Sequence, residues 1–245
     1  MPVVLEAVTF DFWDTLVAMD GSSVTMRDRQ IDGFADALLR HGHTRERDEL
    51  VEVFAENWTR FEAQWEANAG QYTPADATDF IVERLGVSVT PAMRADLVDA
   101  FRIVGERADL EPAPGIEECL STLQGAGIKL AIVCDVGLTP SPTLRDRLTG
   151  FDLLRWFDGW SFSDETGWFK PAPEAFLPAL EALDISDPTV AAHVGDNRRT
   201  DVAGALALGM TAVRYTGLRE ATAAGPEADH VVDDHRRIPA LLGLA

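Results

Sequence analysis

Four short segments of this sequence combine carboxylates, one lysine and small polar residues in a way that could do chemistry. They are Asp11-Phe-Trp-Asp-Thr15, Cys134-Asp135, Gly167-Trp-Phe-Lys-Pro171 and Gly195-Asp-Asn-Arg-Arg-Thr-Asp201. Grouped carboxylates can bind a divalent cation or supply a nucleophile. Of the 21 basic residues, only Lys129 and Lys170 are lysine. A compact ammonium suits carboxylate and phosphate partners, so Lys170 is a candidate for function.

Short apolar runs that predict strands precede or contain several of these segments. Glu6 to Asp11 is one such run. Similar runs occur at Ile128 to Cys134, Thr189 to Val194 and Met210 to Tyr215. Helical patterns at Pro114 to Leu123 and at Asp201 to Leu208 alternate with them. This order predicts an α/β fold with a Rossmann-like parallel sheet, and ligands bind such sheets at the carboxyl ends of the strands.

A different pattern separates the first strand from Pro112. Val51, Phe54, Trp58, Phe61 and Trp65 form a stripe at helical spacing, which favours a packed helical core over a ligand pocket. Thr90 and Pro91 begin another helix, with Thr90 as its N-cap and a buried side that comprises Met93, Leu97, Phe101 and Val104. We therefore expect an α/β core at 1–16 and 112–245 and an all-helical insertion at 17–111.

Composition limits the functional classes. A formal net charge of −20 argues against a nucleic-acid or anionic-membrane partner, although one bound divalent cation can reverse the local potential of a pocket. The first residues lack the pattern of a secretory signal, no apolar run suggests a membrane span, and the cysteines number two. We expect a cytoplasmic protein with reduced thiols, either monomeric or a homodimer.

Taken together, the four segments resemble the haloacid dehalogenase superfamily, and the resemblance includes a helical cap inserted after the first motif. It implies a Mg²⁺-dependent phosphatase that acts on a small phosphorylated metabolite through an aspartyl-phosphate. Asp11 would be the nucleophile, and Lys170 would neutralise charge between it and the phosphate. Asp11, Asp196, Asp201 and the backbone carbonyl of Trp13 would surround the metal ion.

Two departures from the family pattern alter this expectation. Phosphatases of the superfamily carry a proton-donating Asp two residues after the nucleophile, where this chain has Trp13, so substrates whose leaving group needs little protonation fit best. The indole of Trp13 is itself expected to lie near the site and to contact the substrate. Asp14 follows, and an extended chain would point it away from the site. Cys134 replaces a hydroxyl donor and could contact the substrate, or serve as a nucleophile itself. Asp135 either caps its loop or touches the substrate.

Other functions stay open at this point. Dehalogenation of a 2-haloacid needs no leaving-group proton and no metal, and a degraded enzyme retained as a binding protein would tolerate both departures. His41 and His43 could bind metal, but a solvated loop is the favoured interpretation. His193 is expected to be a hydrogen-bonded core residue, and Arg198 and Arg199 either pair with nearby acids or meet the substrate.

Overall fold

The computed structural model describes residues 4–19, 23–67, 70–106, 110–220 and 222–244. The chain forms two compact units. The first comprises Met1–Met19, Leu110–Asp135 and Leu148–Ala245, and the second comprises Asp20–Asp109 and Val136–Arg147. The second unit therefore includes a segment, 136–147, that the sequence did not assign to the helical insertion.

The first unit contains a six-stranded parallel sheet with the order β5-β4-β1-β6-β7-β8. Its strands are β1 (Ala7–Phe10), β4 (Lys129–Cys134), β5 (Gly159–Phe162), β6 (Ala191–Gly195), β7 (Thr211–Tyr215) and β8 (His230–Val232). The central strand β1 is buried throughout, as a strand covered on both faces must be. The predicted α/β fold is confirmed, and four of these strands lie where the sequence placed them. The strands β5 and β8 were not predicted.

The first unit also contains five α-helices in its described part. They are α5 (Ile116–Gly125), α7 (Ser163–Thr166), α8 (Pro173–Ala182), α9 (Ala203–Ala207) and α10 (Ile238–Leu241). Helix α6 (Ser141–Gly150) belongs mostly to the second unit. Helix α8 packs on β4 and β5, and its residues Phe176, Ala179 and Leu180 belong to the same buried apolar cluster as Ala131 and Val133 of β4. A single π-helical turn, Arg198–Val202, precedes α9. Such turns occur often at functional sites.

A second, two-stranded sheet is antiparallel. It joins β2 (Val17–Met19) to β3 (Leu110–Pro112), with Val17 opposite Pro112. The prediction of an all-helical insertion over 17–111 is wrong at both of its ends, because these residues form strands that belong to the first unit. Three residues per strand are too few for a recognisable alternation of polar and apolar side chains.

The second unit is helical. Its long helices are α1 (Ser23–Arg40), α2 (Arg47–Glu66), α3 (Pro74–Arg84) and α4 (Pro91–Glu106). The rings of Phe34, Phe54 and Phe101 pack together, with Phe34 and Phe54 edge to face at 5.4 Å between centroids. The Thr90 side chain accepts a hydrogen bond from the backbone N–H of Met93, which confirms the predicted N-cap.

The buried sides of two helices test the sequence patterns. The predicted side of α4 is confirmed, since all four of its apolar residues are buried. The predicted stripe of α2 is wrong in part, because Val51 is 41% exposed and Trp58 is 36% exposed. The face that packs instead carries Leu50 and Val53. Among the described helices, none is long and apolar enough to cross a membrane.

Candidate active site

The chemistry-bearing residues of the first unit lie where its three central strands end. Strand β1 pairs with β4 on one side and with β6 on the other, so their carboxyl ends meet at one edge. Asp11 follows β1, Cys134 ends β4 and Asp196 follows β6. This is the position at which open α/β sheets bind their ligands, because the connections diverge there and leave a crevice.

Lys170 lies at the centre of this edge. Its ammonium Nζ is 2.5 Å from Asp11 Oδ1 and 2.6 Å from Asp201 Oδ1, and it donates to the backbone carbonyl of Val133 at 3.2 Å. The side chain is almost completely buried. Burial alone would lower the pKa of Lys170, but the flanking carboxylates of Asp11 and Asp201 raise it well above its usual value. Lys170 is therefore a fixed positive charge between two carboxylates.

Asp201 is held by contacts on both of its oxygens. Oδ1 faces Lys170 and, at 3.1 Å, His193 Nε2, while Oδ2 accepts the backbone N–H of Asn197 at 3.0 Å. Burial opposes ionisation of Asp201, but Lys170 and His193 together hold its pKa well below the usual range. These donors hold the carboxylate of Asp201 in a single orientation.

Gly195, the last residue of β6, makes this position possible. A side chain added at Gly195 would place its Cβ 2.3 Å from Asp201 Cγ, which is closer than real atoms approach. The glycine therefore lets the carboxylate of Asp201 pack directly on the strand backbone.

His193 extends the network into the sheet. Its Nδ1 lies 2.8 Å from Thr9 Oγ1 on the neighbouring strand β1. Burial lowers the pKa of His193 and keeps the ring neutral. Because Nε2 faces the carboxylate of Asp201, Nε2 carries the proton, and the Thr9 hydroxyl donates to Nδ1. The sequence predicted a hydrogen-bonded core residue here, and missed that His193 connects the core to the site.

Asp11, Asp196 and Asp201 form a three-acid cluster. One carboxylate oxygen of each lies within 4.8 Å of the others, and all three side chains are buried. Burial and the neighbouring carboxylates raise the pKa of Asp11 well above its usual value, although Lys170 opposes the shift. Burial, Asp201 and Asp14 raise the pKa of Asp196 to about 7. This crowding of oxygens and negative charge is what a hard divalent cation would relieve, so the cluster fits Mg²⁺.

The remaining predicted residues have distinct surroundings. Asp135 Oδ1 accepts a hydrogen bond from the backbone N–H of Lys170 at 3.0 Å, so it positions the loop that carries the lysine, a contact that neither sequence interpretation predicted. Cys134 is buried, and burial together with the charge of Asp11 raises the pKa of its thiol well above the usual value, which disfavours it as a nucleophile. Trp13 forms a β-bridge with Val17.

Asp14 is not where the sequence placed it. The prediction that an extended chain points Asp14 away from the site is wrong, because Asp14 has a left-handed backbone with φ of 55°. Its Oδ2 lies 2.7 Å from Arg219 Nη2, and the same nitrogen is 3.5 Å from Asp196 Oδ2. Sequence reasoning missed Arg219 because it follows β7 in a segment without a motif.

The histidines and arginines considered as alternatives have other partners. His41 Nε2 pairs with Asp96 at 2.7 Å in the helical unit, and His43 lies in the turn that follows α1. Among the residues that the structure describes, neither histidine belongs to a cluster of side chains that could bind a metal ion. Arg198 pairs with Glu227 at 3.0 Å, which agrees with the ion-pair interpretation.

Comparison with known proteins gives three findings. The family model of a haloacid dehalogenase-like hydrolase matches residues 5–209. The haloacid dehalogenase-like hydrolase domain-containing protein 3 of Bos taurus is 36% identical over 103 residues, which cover 42% of this chain and 39% of that protein. The ribulose-1,5-bisphosphate 5-phosphatase of Halopiger xanaduensis is 32% identical over 51% of this chain and 54% of that protein. The matches thus span about two fifths to half of the relatives' length.

Among solved structures, the 2-haloacid dehalogenase of Pseudomonas syringae pv. Tomato superposes with a TM-score of 0.73. The alignment covers 98% of this chain and 99% of that chain at 21% sequence identity. At this identity, the likeness concerns the fold.

Proposed function

Because the chain belongs to the haloacid dehalogenase-like hydrolase family, we propose that it is a Mg²⁺-dependent phosphatase with Asp11 as its nucleophile. One observation carries the proposal. Lys170 is buried between Asp11 and Asp201 inside the three-acid cluster, at 2.5 and 2.6 Å. An arrangement of this kind brings a nucleophilic carboxylate, a fixed cation and a set of oxygen ligands to the same place.

The chemistry assigned to Asp11 has two steps. Its carboxylate oxygen attacks phosphorus as the bond from phosphorus to the leaving-group oxygen breaks, which gives an acyl phosphate. Water then hydrolyses this acyl phosphate, releasing inorganic phosphate and regenerating Asp11. Dividing one difficult displacement into two easier ones is the advantage of a covalent nucleophile.

The charges of the site support the same assignment. A carboxylate and a phosphate repel each other, and the ammonium of Lys170 offsets that repulsion at the attacking oxygen. A divalent cation held by Asp11, Asp196 and Asp201 would polarise the phosphoryl group and offset its remaining charge. Asp135 holds the backbone of the lysine loop, so the ammonium is already oriented before a substrate arrives.

The identity of residue 13 narrows the substrate class. An indole cannot donate the proton that an alkoxide leaving group needs, and the loss of a general acid typically lowers a rate by about 10² to 10⁴. We propose acyl or aryl phosphates, whose leaving groups depart as stable anions. We also propose that the helical unit serves as the cap that selects among substrates, as the family resemblance implies. One relative is named as a phosphatase of a phosphorylated sugar, which agrees with a small phosphorylated substrate.

The test is hydrolysis of p-nitrophenyl phosphate by the full chain with Mg²⁺ and with EDTA. Asp11→Asn keeps the size of the side chain and removes the nucleophile, and we expect it to abolish turnover. Asp184→Asn is the matched control, because Asp184 has a side chain that is 95% exposed and a left-handed backbone that Asn also tolerates. Activity that survives both EDTA and Asp11→Asn would end the proposal.

Dehalogenation of a 2-haloacid is the second candidate, and the observation that favours it is again Trp13. A halide leaves without a proton, so the missing acid is no handicap. The three-acid cluster disfavours this reaction, since attack on carbon needs no metal. Halide release from 2-chloropropionate in the presence of EDTA would reverse the order of the two candidates. Absence of both activities, with no beryllofluoride adduct on Asp11, would favour a binding protein.

A further inference from the structure

The Asp14–Arg219 pair has no role in the chemistry described above. Asp14 occupies a left-handed backbone conformation, with φ of 55°, in which only glycine is free of steric cost. Aspartate tolerates this conformation better than most residues, as the exposed Asp184 with the same φ also shows. The contact that the conformation creates is the ion pair with Arg219 at 2.7 Å.

Arg219 has unused hydrogen-bonding capacity. Its shortest contacts with Asp14 and with Asp196 are both made by the nitrogen Nη2, which also donates the hydrogen bond to Asp196. In the described part of the chain, Nη1 and Nε have no partner, and the side chain is 61% exposed. A guanidinium presents its donors as a planar fork that matches a carboxylate or a phosphate. Arg219 is therefore anchored at one nitrogen and can receive an anion at the others.

The charges around the site point in the same direction. The three-acid cluster and Asp14 carry four formal negative charges, against which Lys170 and Arg219 supply two positive ones. One divalent cation would balance the difference. With a cation on Asp196, the 3.5 Å contact between Asp196 and Arg219 is no longer needed for charge balance. Arg219 is then paired with Asp14 alone, and the neutralised cluster no longer repels an anionic group that approaches the other donors of Arg219.

The position of Arg219 decides which part of the substrate it can meet. Lys170 contacts the nucleophile Asp11, whereas Arg219 contacts Asp196 and makes no ion pair with Asp11. Arg219 is also the more exposed of the two cations by a wide margin. Arg219 therefore lies beside the cluster and away from the nucleophile, where it can meet a part of the substrate other than the transferred phosphoryl group.

From these observations we propose that Arg219, held by Asp14, binds a second anionic group on the substrate, a carboxylate or another phosphate close to the scissile phosphoryl group. This inference rests on the proposed function and narrows its substrate class to acyl or aryl phosphates that also carry a carboxylate or a second phosphate, in preference to those without a second charged group. Asp14 is a positioning residue in this account, because it acts through Arg219.

The experiment compares two inert ligands that differ only at the far end. 3-Phosphonopropionate carries a carboxylate where propylphosphonate carries a methyl group, and neither can be hydrolysed. Calorimetric titration of the full chain with Mg²⁺ should give tighter binding of 3-phosphonopropionate by roughly tenfold or more, the usual effect of a charge-assisted pair. Arg219→Gln should reduce this preference to within about threefold of equality.

Two further variants separate function from structure. Asp14→Asn keeps a residue that tolerates the left-handed backbone and removes the charge that anchors Arg219, so it should weaken the preference without lowering the melting temperature. Arg237→Gln is the matched control, since Arg237 is an exposed arginine paired with Asp233 at 2.8 Å, and it should keep the full preference.

The outcomes distinguish this inference from the proposed function. An unchanged preference in Arg219→Gln, or equal binding of the two ligands by the natural chain, overturns the role of Arg219. If p-nitrophenyl phosphate is still hydrolysed with Mg²⁺ in that case, the phosphatase proposal stands. If neither ligand binds and no phosphate ester is hydrolysed, both are overturned.

Discussion

His235 should make the stability of the first unit depend on pH. The side chain is fully buried, and its ring lies 3.9 Å from that of Tyr215 between centroids. Burial lowers the pKa of His235 from 6.5 to about 4, against partial opposition from the backbone of Pro114 and from Asp234. The folded protein therefore keeps this ring neutral at a pH where the unfolded chain protonates it.

The sign and size of the effect follow from the two pKa values. Between about pH 6.5 and pH 4 the unfolded chain binds one more proton than the folded chain, so the free energy of unfolding decreases as the pH falls. At about 1.36 kcal/mol per pH unit, the total loss is about 3 kcal/mol. Above pH 7 His235 is neutral in both the folded and the unfolded chain, so the free energy of unfolding no longer changes with pH through this residue.

The assay is urea denaturation of the natural chain and of His235→Phe at several pH values between 7.5 and 4. The variant lacks the titrating ring, so the difference in unfolding free energy between the two proteins should change by about 3 kcal/mol over this range. Tyr215→Phe alters the same packing without titrating there, and its difference from the natural chain should stay constant. A constant difference for His235→Phe as well would show that His235 has the same pKa in the folded and the unfolded chain.

Three more predictions concern the site. Gly195→Ala should displace Asp201 and lower phosphatase activity by roughly tenfold or more with the fold retained, which circular dichroism and kinetics would check. Lys170→Met leaves two buried carboxylates without their cation and should cost about 3 to 5 kcal/mol in urea denaturation, whereas Lys129→Met, at the only other lysine, should cost about 1 kcal/mol or less. Cys134→Ser supplies a better hydrogen-bond donor, so phosphatase activity should be retained or increased, and its abolition would indicate a nucleophilic thiol.

The parts of the fold that could be predicted are those with a strong local pattern. The buried strands before Asp11 and Asp196, and the helix capped by Thr90, each have a run of apolar residues or a capping residue that marks them. Strand β5 contains Gly159 and an exposed tryptophan, Trp160, and so lacks a clear apolar run. Strand β8 has three residues, too few for a pattern.

The candidate site also has contacts that the sequence predicts and contacts that it does not. The carboxyl ends of parallel strands meet by topology alone, so the proximity of Asp11 and Asp196 follows from the sequence. The contact of Lys170 with both Asp11 and Asp201 agrees with the expected convergence. The ion pair of Asp14 with Arg219 could not be predicted. It depends on a left-handed backbone angle at Asp14 and on a partner more than 200 residues away in the sequence. Cytoplasmic location and a monomeric or dimeric state stay predictions.

If the proposed function is right, Asp11 becomes covalently phosphorylated during turnover. The most direct measurement is acid quenching of the full chain during hydrolysis of radiolabelled acetyl phosphate with Mg²⁺, followed by peptide mapping. We predict a hydroxylamine-sensitive label on the peptide that contains Asp11, and none in Asp11→Asn. Steady turnover with no label on that peptide, or with the label on another residue, would contradict the account.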